Sequence, residues 1–279
     1  MTKIKWNLHI LVGATIATVG LSSWAAASAS PVLLADYKAA GYNAVTGVWS
    51  DSSGNGNTAT VGTGVTAPTL MADATPNGSS AVNFGASSEW LSIANGLAQG
   101  SGYTVLAFAE PTATGSNYAL VGGPPGAMEY RIQTAGGNNF QVLLNTDTTA
   151  FGSSNTAVPT NAFSMVGVST DNLGAATFYL NGSADGTTTG NSAFTSPINL
   201  IGASDTGSGA SPNEFFVGNI AELQIYSGVL TSTQVQSVDQ AFINSYVTPV
   251  PEPATLGLLA VGGLGLLLVS RRRATRQST

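Results

Sequence analysis

The sequence predicts an all-β protein, a two-sheet antiparallel sandwich, flanked by a helical segment at each end that belongs to export rather than to the fold. Three observations carry this. From about residue 30 to 248, short apolar runs recur between clusters of Gly, Asn, Asp, Ser and Thr, the pattern of many short strands joined by turns. Several runs alternate with period two: Met128, Tyr130 and Ile132 oppose Glu129, Arg131 and Gln133, and Ala221, Leu223 and Ile225 oppose Glu222, Gln224 and Tyr226. Such strands bury one face and solvate the other, as antiparallel sheets do. Finally, Asn181-Gly182 directly follows Phe178-Tyr179-Leu180, a hairpin signal because both central residues of a type I′ turn need positive φ.

Residues 1–29 read as a cleavable signal peptide: Lys3 and Lys5, an apolar run around Leu8–Leu21, and the small-residue sites Ala25-Ala26-Ala27 and Ala27-Ser28-Ala29. The strands expected in the body are Glu89–Ile93, Tyr103–Ala109, Met128–Gln133, Phe140–Leu144, Phe163–Thr170, Thr177–Leu180, Ile198–Ile201 and Phe216–Tyr226. One helix follows. Thr231-Ser232 can cap it, and Val235, Val238, Phe242 and Tyr246 fall on one face at spacings of three and four. It must stop before Pro249. Residues 249–253 are a proline-rich linker, 254–270 a transmembrane helix and 271–279 a basic cytoplasmic tail. The apolar stretch Ala254–Val269 spans roughly 24 Å as a helix, short for a bilayer core, but it is uncharged and ends at Arg271, Arg272 and Arg273. Arginines flanking a span stay on the cytoplasmic side, which places the body outside.

Charge placement excludes one class of function. The formal net charge is −6. Of the eight cations only Lys38 and Arg131 lie in the body, against thirteen acids, so the body alone stands at −11. Nucleic-acid phosphates need clustered Lys and Arg, and nucleic acid is no partner of this chain. Cysteine is absent and the single histidine, His9, leaves with the signal segment. No Ser-His-Asp or Cys-His arrangement and no His- or Cys-ligated metal is then available to the mature body.

Glycoside hydrolysis needs only two carboxylates, but Glu89, Glu110, Glu129, Glu214 and Glu222 stand singly in sequence. The expectation is that the protein is not an enzyme. Glu129 and Arg131 share a strand face and read as an ordinary exposed pair. Asp51, Asn55 and Asn57 lie in a Gly-rich loop whose oxygens suit calcium or a ligand, or which simply uses them to turn. The acidic stretch Asp205 to Glu214 carries the same two readings. Trp49, Trp90, Tyr103, Tyr118, Tyr130 and Tyr226 are aromatics that either fill the core or stack on sugar rings. Asn77-Gly-Ser79 and Asn181-Gly-Ser183 match the N-glycosylation pattern, and Asn-Gly is also a turn signal.

The order of Pro251-Glu252-Pro253, a short apolar helix and a terminal arginine run resembles the PEP-CTERM sorting signal of Gram-negative bacteria. That resemblance implies export by the Sec machinery, recognition and processing by an exosortase, and a producer of extracellular polysaccharide. A second resemblance covers most of the body. Trp49-Ser-Asp51-Ser-Ser-Gly54-Asn55-Gly56-Asn57, Ala81–Gly85, Phe178–Gly182 and Phe216–Tyr226 with Leu230-Thr231 are similar, in order, to laminin-G-like, concanavalin A-like jelly-roll domains. This implies two antiparallel sheets and glycan or protein recognition, sometimes with calcium. The expected function is an exported surface or matrix protein, tethered to the inner membrane before processing, whose lectin-like domain binds polysaccharide or another envelope component. A non-binding structural matrix protein is the alternative, and a polysaccharide-cleaving enzyme ranks behind both.

Overall fold

The computed structural model describes residues 30–249 apart from 86–87, 99, 114–116, 134–136, 145–151, 191–192 and 206–211. The expected signal segment, sorting motif, membrane helix and arginine cluster lie outside the described residues. No helix among the described residues is long and apolar enough to cross a membrane.

In chain order the strands are β1 (Val32–Lys38), β2 (Tyr42–Asn43), β3 (Val48–Trp49), β4 (Ala59–Val61), β5 (Thr69–Met71) and β6 (Ala81–Phe84). Then come β7 (Leu91–Leu97), β8 (Gly102–Pro111), β9 (Asn117–Gly122), β10 (Met128–Gln133), β11 (Asn139–Leu144) and β12 (Gly152–Ala157). The last are β13 (Ser164–Asp171), β14 (Ala176–Leu180), β15 (Ser183–Thr188), β16 (Ile198–Ile201) and β17 (Gly218–Ser227), followed by helix α1 (Ser232–Tyr246). They form two antiparallel sheets packed face to face. One has eight strands in the order β15-β14-β13-β8-β17-β6-β5, with β1 also on β17; the other has nine in the order β12-β11-β10-β9-β16-β7-β4-β3-β2. This is the two-sheet sandwich of a jelly roll.

Between the sheets lies the main core. Alternate residues of β8 (Tyr103, Val105, Ala107, Ala109), of β10 (Met128, Tyr130, Ile132) and of β13 (Val166, Val168) point into it, with Trp49, Phe84, Phe178 and Phe216. The opposite face of β8 is also buried, because α1 lies over the eight-stranded sheet. Leu106 and Phe108 meet Val235, Phe242 and Tyr246 there, and the Phe108 ring stacks on Phe163 and Tyr246 at centroid distances of 5.3 and 5.5 Å. The helix thus buries the face its spacing predicted. Thr231 caps it in a capping box with Gln234.

Two local features refine the expected pattern. β17 pairs with β6 through residues 218–220 and with β1 through 222–227, on the same side, and the register shifts between Ile220 and Glu222. That bulge turns Ala221 outward beneath α1, whereas simple alternation grouped it with Leu223 and Ile225. At the β14–β15 turn, Asn181 and Gly182 have φ of +47° and +72°, the hairpin conformation expected of Asn-Gly.

Candidate functional site

With α1 over one sheet, the outer face of the nine-stranded sheet is the one without a helix. The period-two alternation of β10 sends Glu129 and Arg131 to that face. They are not the exposed pair the sequence predicts: Glu129 is 0% and Arg131 5% exposed. The reason is a distant segment that pairs edge to edge with β9 and sends the Glu214 side chain to Arg131. Ala119 N–H donates to Glu214 O at 2.7 Å, Phe215 bridges to Ala119, and Ser204 and Asn213 exchange backbone hydrogen bonds of 3.0 and 2.6 Å. Glu214 itself sits at φ +51°, a conformation a non-glycine residue keeps only where its surroundings impose it.

Arg131 organises the site. Its Nη1 donates to Glu214 Oε1 and Oε2 at 3.1 and 3.0 Å, and its Nε donates to Gln141 Oε1 at 3.3 Å. Asn117 Nδ2 donates to Glu214 Oε1 at 3.0 Å. Glu129 Oε1 lies 3.6 Å from the same Nη1, yet neither Glu129 oxygen receives a hydrogen bond from a donor atom in good geometry. Burial, reinforced by the adjoining Glu214, pushes the Glu129 carboxyl well above the usual range. Burial works the same way on Glu214, but contact with Glu129, the Arg131 charge and the Asn117 amide together hold it below. Burial thus favours the neutral form of Glu129, while the contacts of Glu214 favour its charged form. Around it, Asn117, Asn139, Gln141 and Glu214 are all partly exposed. This array of amides and one carboxylate is suited to hydrogen-bonding hydroxyl groups.

A profile of the concanavalin A-like lectin/glucanases superfamily matches residues 77–236. The chain belongs to that superfamily. The PEP-CTERM protein-sorting motif matches residues 249–273, which marks the protein for export and for membrane anchoring during exosortase sorting. No curated protein matches the chain by sequence. Among solved structures, domain 4 of AbnA, an extracellular arabinanase from Geobacillus stearothermophilus, in complex with arabinotriose, is similar with a TM-score of 0.50 at 19% identity, over 75% of this chain and 99% of that one. The binding domain of Paraclostridial mosquitocidal protein 1 gives 0.52 at 14% identity, over 76% and 52%. Trypanosoma rangeli sialidase in complex with sialic acid gives 0.50 at 14%, over 76% and 33%. The chain spans about half of the toxin domain and a third of the sialidase. At these identities the likeness is one of fold.

The other residues singled out in this concanavalin A-like chain fall into place individually. Asp51 Oδ1 accepts from the backbone N–H of Asp36 and Ser53 at 3.0 and 2.8 Å, and Oδ2 from Ser53 Oγ and Asn57 N–H at 2.8 and 2.9 Å. Asn55 and Asn57 donate their side-chain amides to carbonyls of β1, at Leu33 and Leu34. All four donors around Asp51 point at its carboxylate. Of the two readings this loop carried, the geometry is that of a turn clipping the loop to β1. Burial would raise the Asp51 carboxyl, but these hydrogen bonds hold it below its ordinary value. No cluster of three or more His, Cys, Asp or Glu able to hold a metal occurs among the described residues.

The aromatics divide as well. Trp49, Tyr103 and Tyr130 are wholly buried core, while Trp90, Tyr118 and Tyr226 are half-buried. The Trp90 ring packs against Gly62, where a Cβ would stand 2.1 Å from it. Asn77 is occupied rather than displayed: its side-chain amide donates to the carbonyls of Ser245 and Thr248 at 2.9 and 3.3 Å, and its N–H to that of Tyr246 at 3.0 Å. It satisfies carbonyls that the end of α1 leaves open.

Two features had no sequence signal. Across β1 and β17, Lys38 Nζ lies 3.4 Å from Asp36 Oδ2 and 3.8 Å from Glu222 Oε1, and Tyr246 donates its hydroxyl to Glu222 Oε2 at 2.7 Å. An open pocket of about 270 Å³ is lined by Asn95, Ala98, Thr195, Ser196 and Pro197, all uncharged.

Proposed function

We propose that the body is a non-catalytic recognition module for polysaccharide or another hydroxyl-rich envelope component, displayed outside the cytoplasm after the signal segment and sorting tail have done their work. The observation that carries this reading is the array of Asn117, Gln141 and Glu214 held by Arg131 on the helix-free face of the nine-stranded sheet. Its groups are oriented by one another before any ligand arrives, which lowers the entropic cost of binding. The AbnA domain, matched over almost its whole length, holds a sugar oligomer in its solved form, and this supports the ligand class. Against hydrolysis stands the burial of Glu129. A general acid must reach the glycosidic oxygen, and this carboxyl has no exposed atom, while its neighbour Glu214 is neutralised by Arg131.

A glycan array probed with the protein recovered from cells and medium tests the reading. Binding to at least one matrix glycan is expected, and Gln141→Ala is expected to weaken it about tenfold, the equivalent of one lost hydrogen bond. Silence across the array, with or without calcium, would show the body to be a structural component. Intact-mass analysis of the same material is expected to show both Met1–Ala29 and the tail beyond Pro253 missing.

A further inference from the structure

Two carboxylates, Glu129 and Glu214, stand beside one guanidinium, and only Glu214 is bonded to it. Arg131 Nη1 is within 3.1 Å of both Glu214 oxygens and 3.6 Å from Glu129. An ionised carboxylate buried without donors is costly, and a neutral one far less so. Beside the Ser204–Asn213 backbone pair, Glu214 ties the 212–215 segment to the sheet, through Asn117 and Arg131 on its side chain and Ala119 on its carbonyl.

We infer that Glu129 and Glu214 compete for Arg131, so that a proton on Glu129 latches the 212–215 segment alongside β9. With Glu129 neutral, Arg131 belongs to Glu214 and the segment is held. When Glu129 releases its proton to solvent, the buried anion draws the guanidinium toward it. Glu214 then loses its cation, and the strain at its φ of +51° favours release.

The groups facing Glu129 are few. Arg131 shares its strand, and Ser204 and Glu214 come from the two segments paired beside β9, with Asp205 next to Ser204 in the chain; Gln141 of β11 and Asn117 of β9 bond to Arg131 and Glu214 in turn. The body's other cation, Lys38, is engaged by Asp36 and Glu222 on the opposite sheet. Arg131 has no substitute. The raised carboxyl of Glu129 sets the direction: the latch is closed in acid and opens as pH rises. Because Asn117, Gln141 and Glu214 form the proposed contact surface, ligand binding should be tighter in acid, a consequence that rests on the recognition reading above.

Hydrogen exchange of the full chain in detergent, corrected for intrinsic rates, tests the latch at Ala119 and Asn213, whose N–H groups bond to Glu214 O and Ser204 O. From pH 5 to pH 8 their exchange is expected to accelerate at least about tenfold beyond the correction, the effect of one unit of differential proton affinity. Glu129→Gln, a neutral mimic of the protonated state, should keep both amides slow at either pH, and Glu214→Gln should leave both fast. Equal wild-type protection at the two pH values, or an unchanged pH response in Glu129→Gln, overturns the inference. Glycan binding on the same samples separates the two ideas. A pH-dependent latch without any bound glycan defeats the recognition reading alone, and binding without the pH response defeats the latch alone.

Discussion

Asp51 shows how a single side chain can clip a loop to a strand. Four N–H and O–H donors converge on its two oxygens, and the loop is further tied down by Asn55, Asn57 and the hydroxyl of Tyr37, which donates to Asn57 O. Hydrogen bonds to a charged acceptor contribute about 1.5–3 kcal/mol each. Asp51→Asn removes the charge and turns one acceptor into a donor facing other donors, so a loss of about 2–3 kcal/mol is expected in denaturant melts. Calcium should leave the melting temperature of the wild-type protein unchanged, since the loop offers it no free oxygen of Asp51. The pair Glu129 and Arg131 teaches the converse: residues that alternate like a solvated strand face end up buried when a distant segment pairs beside their sheet.

At the scale of elements, α1 closes the eight-stranded sheet and is held at both ends. Its start is fixed by the Thr231–Gln234 capping box and its end by the loop around Asn77. The second clamp is the more consequential, because the chain runs from there through Pro249 to the sorting motif. Asn77→Ala leaves the carbonyls of Ser245 and Thr248 without that amide and should cost about 1 kcal/mol. The checkable outcome is faster proteolysis and hydrogen exchange in residues 243–248, with the sandwich strands unaffected. β17 is the other pivotal element. Its bulge lets one strand pair with β6 and then β1 on the same side, and it supplies Glu222 to the cluster beneath the helix.

For the whole molecule, two carboxyl clusters give stability an unusual pH dependence. Burial, then the neighbouring charge of Glu222, raises Asp36 to about 7, and Glu129 is raised well above its ordinary value. A raised carboxylate means the folded state keeps a proton that the unfolded chain releases. The stability it contributes is complete in acid, below the unfolded value near 3.8, and declines as pH rises toward 7. Asp51 and Glu214 are lowered and act in the opposite sense, their contribution being lost only as pH falls below about 4. The melting temperature is therefore expected to be highest in mildly acidic solution and to fall between pH 5 and pH 8. Asp36→Asn should flatten much of that slope; a profile rising from pH 5 to pH 8 would contradict the assignment. The body's charge of −11, with only two cations, makes each buried carboxyl compete for scarce compensation.

What was legible in the sequence was what local periodicity and composition encode. The alternation of β10, the face of α1 built on Val235, Phe242 and Tyr246, the turn at Asn181-Gly182 and the order of Pro251-Glu252-Pro253 before Arg271–Arg273 depend on neighbours a few residues away. The resemblance of Trp49–Asn57 and Phe216–Tyr226 to laminin-G-like domains was legible for the same reason. The use of the polar residues was decided only in three dimensions. Glu214 reaches Arg131 across 83 positions of chain and Asn77 reaches Ser245 across 168. Whether a carboxylate ends as a surface charge, a loop clip or a buried proton carrier depends on which distant segment covers it. No local pattern carries that information, because burial and partner are properties of the packed sandwich and not of the strand.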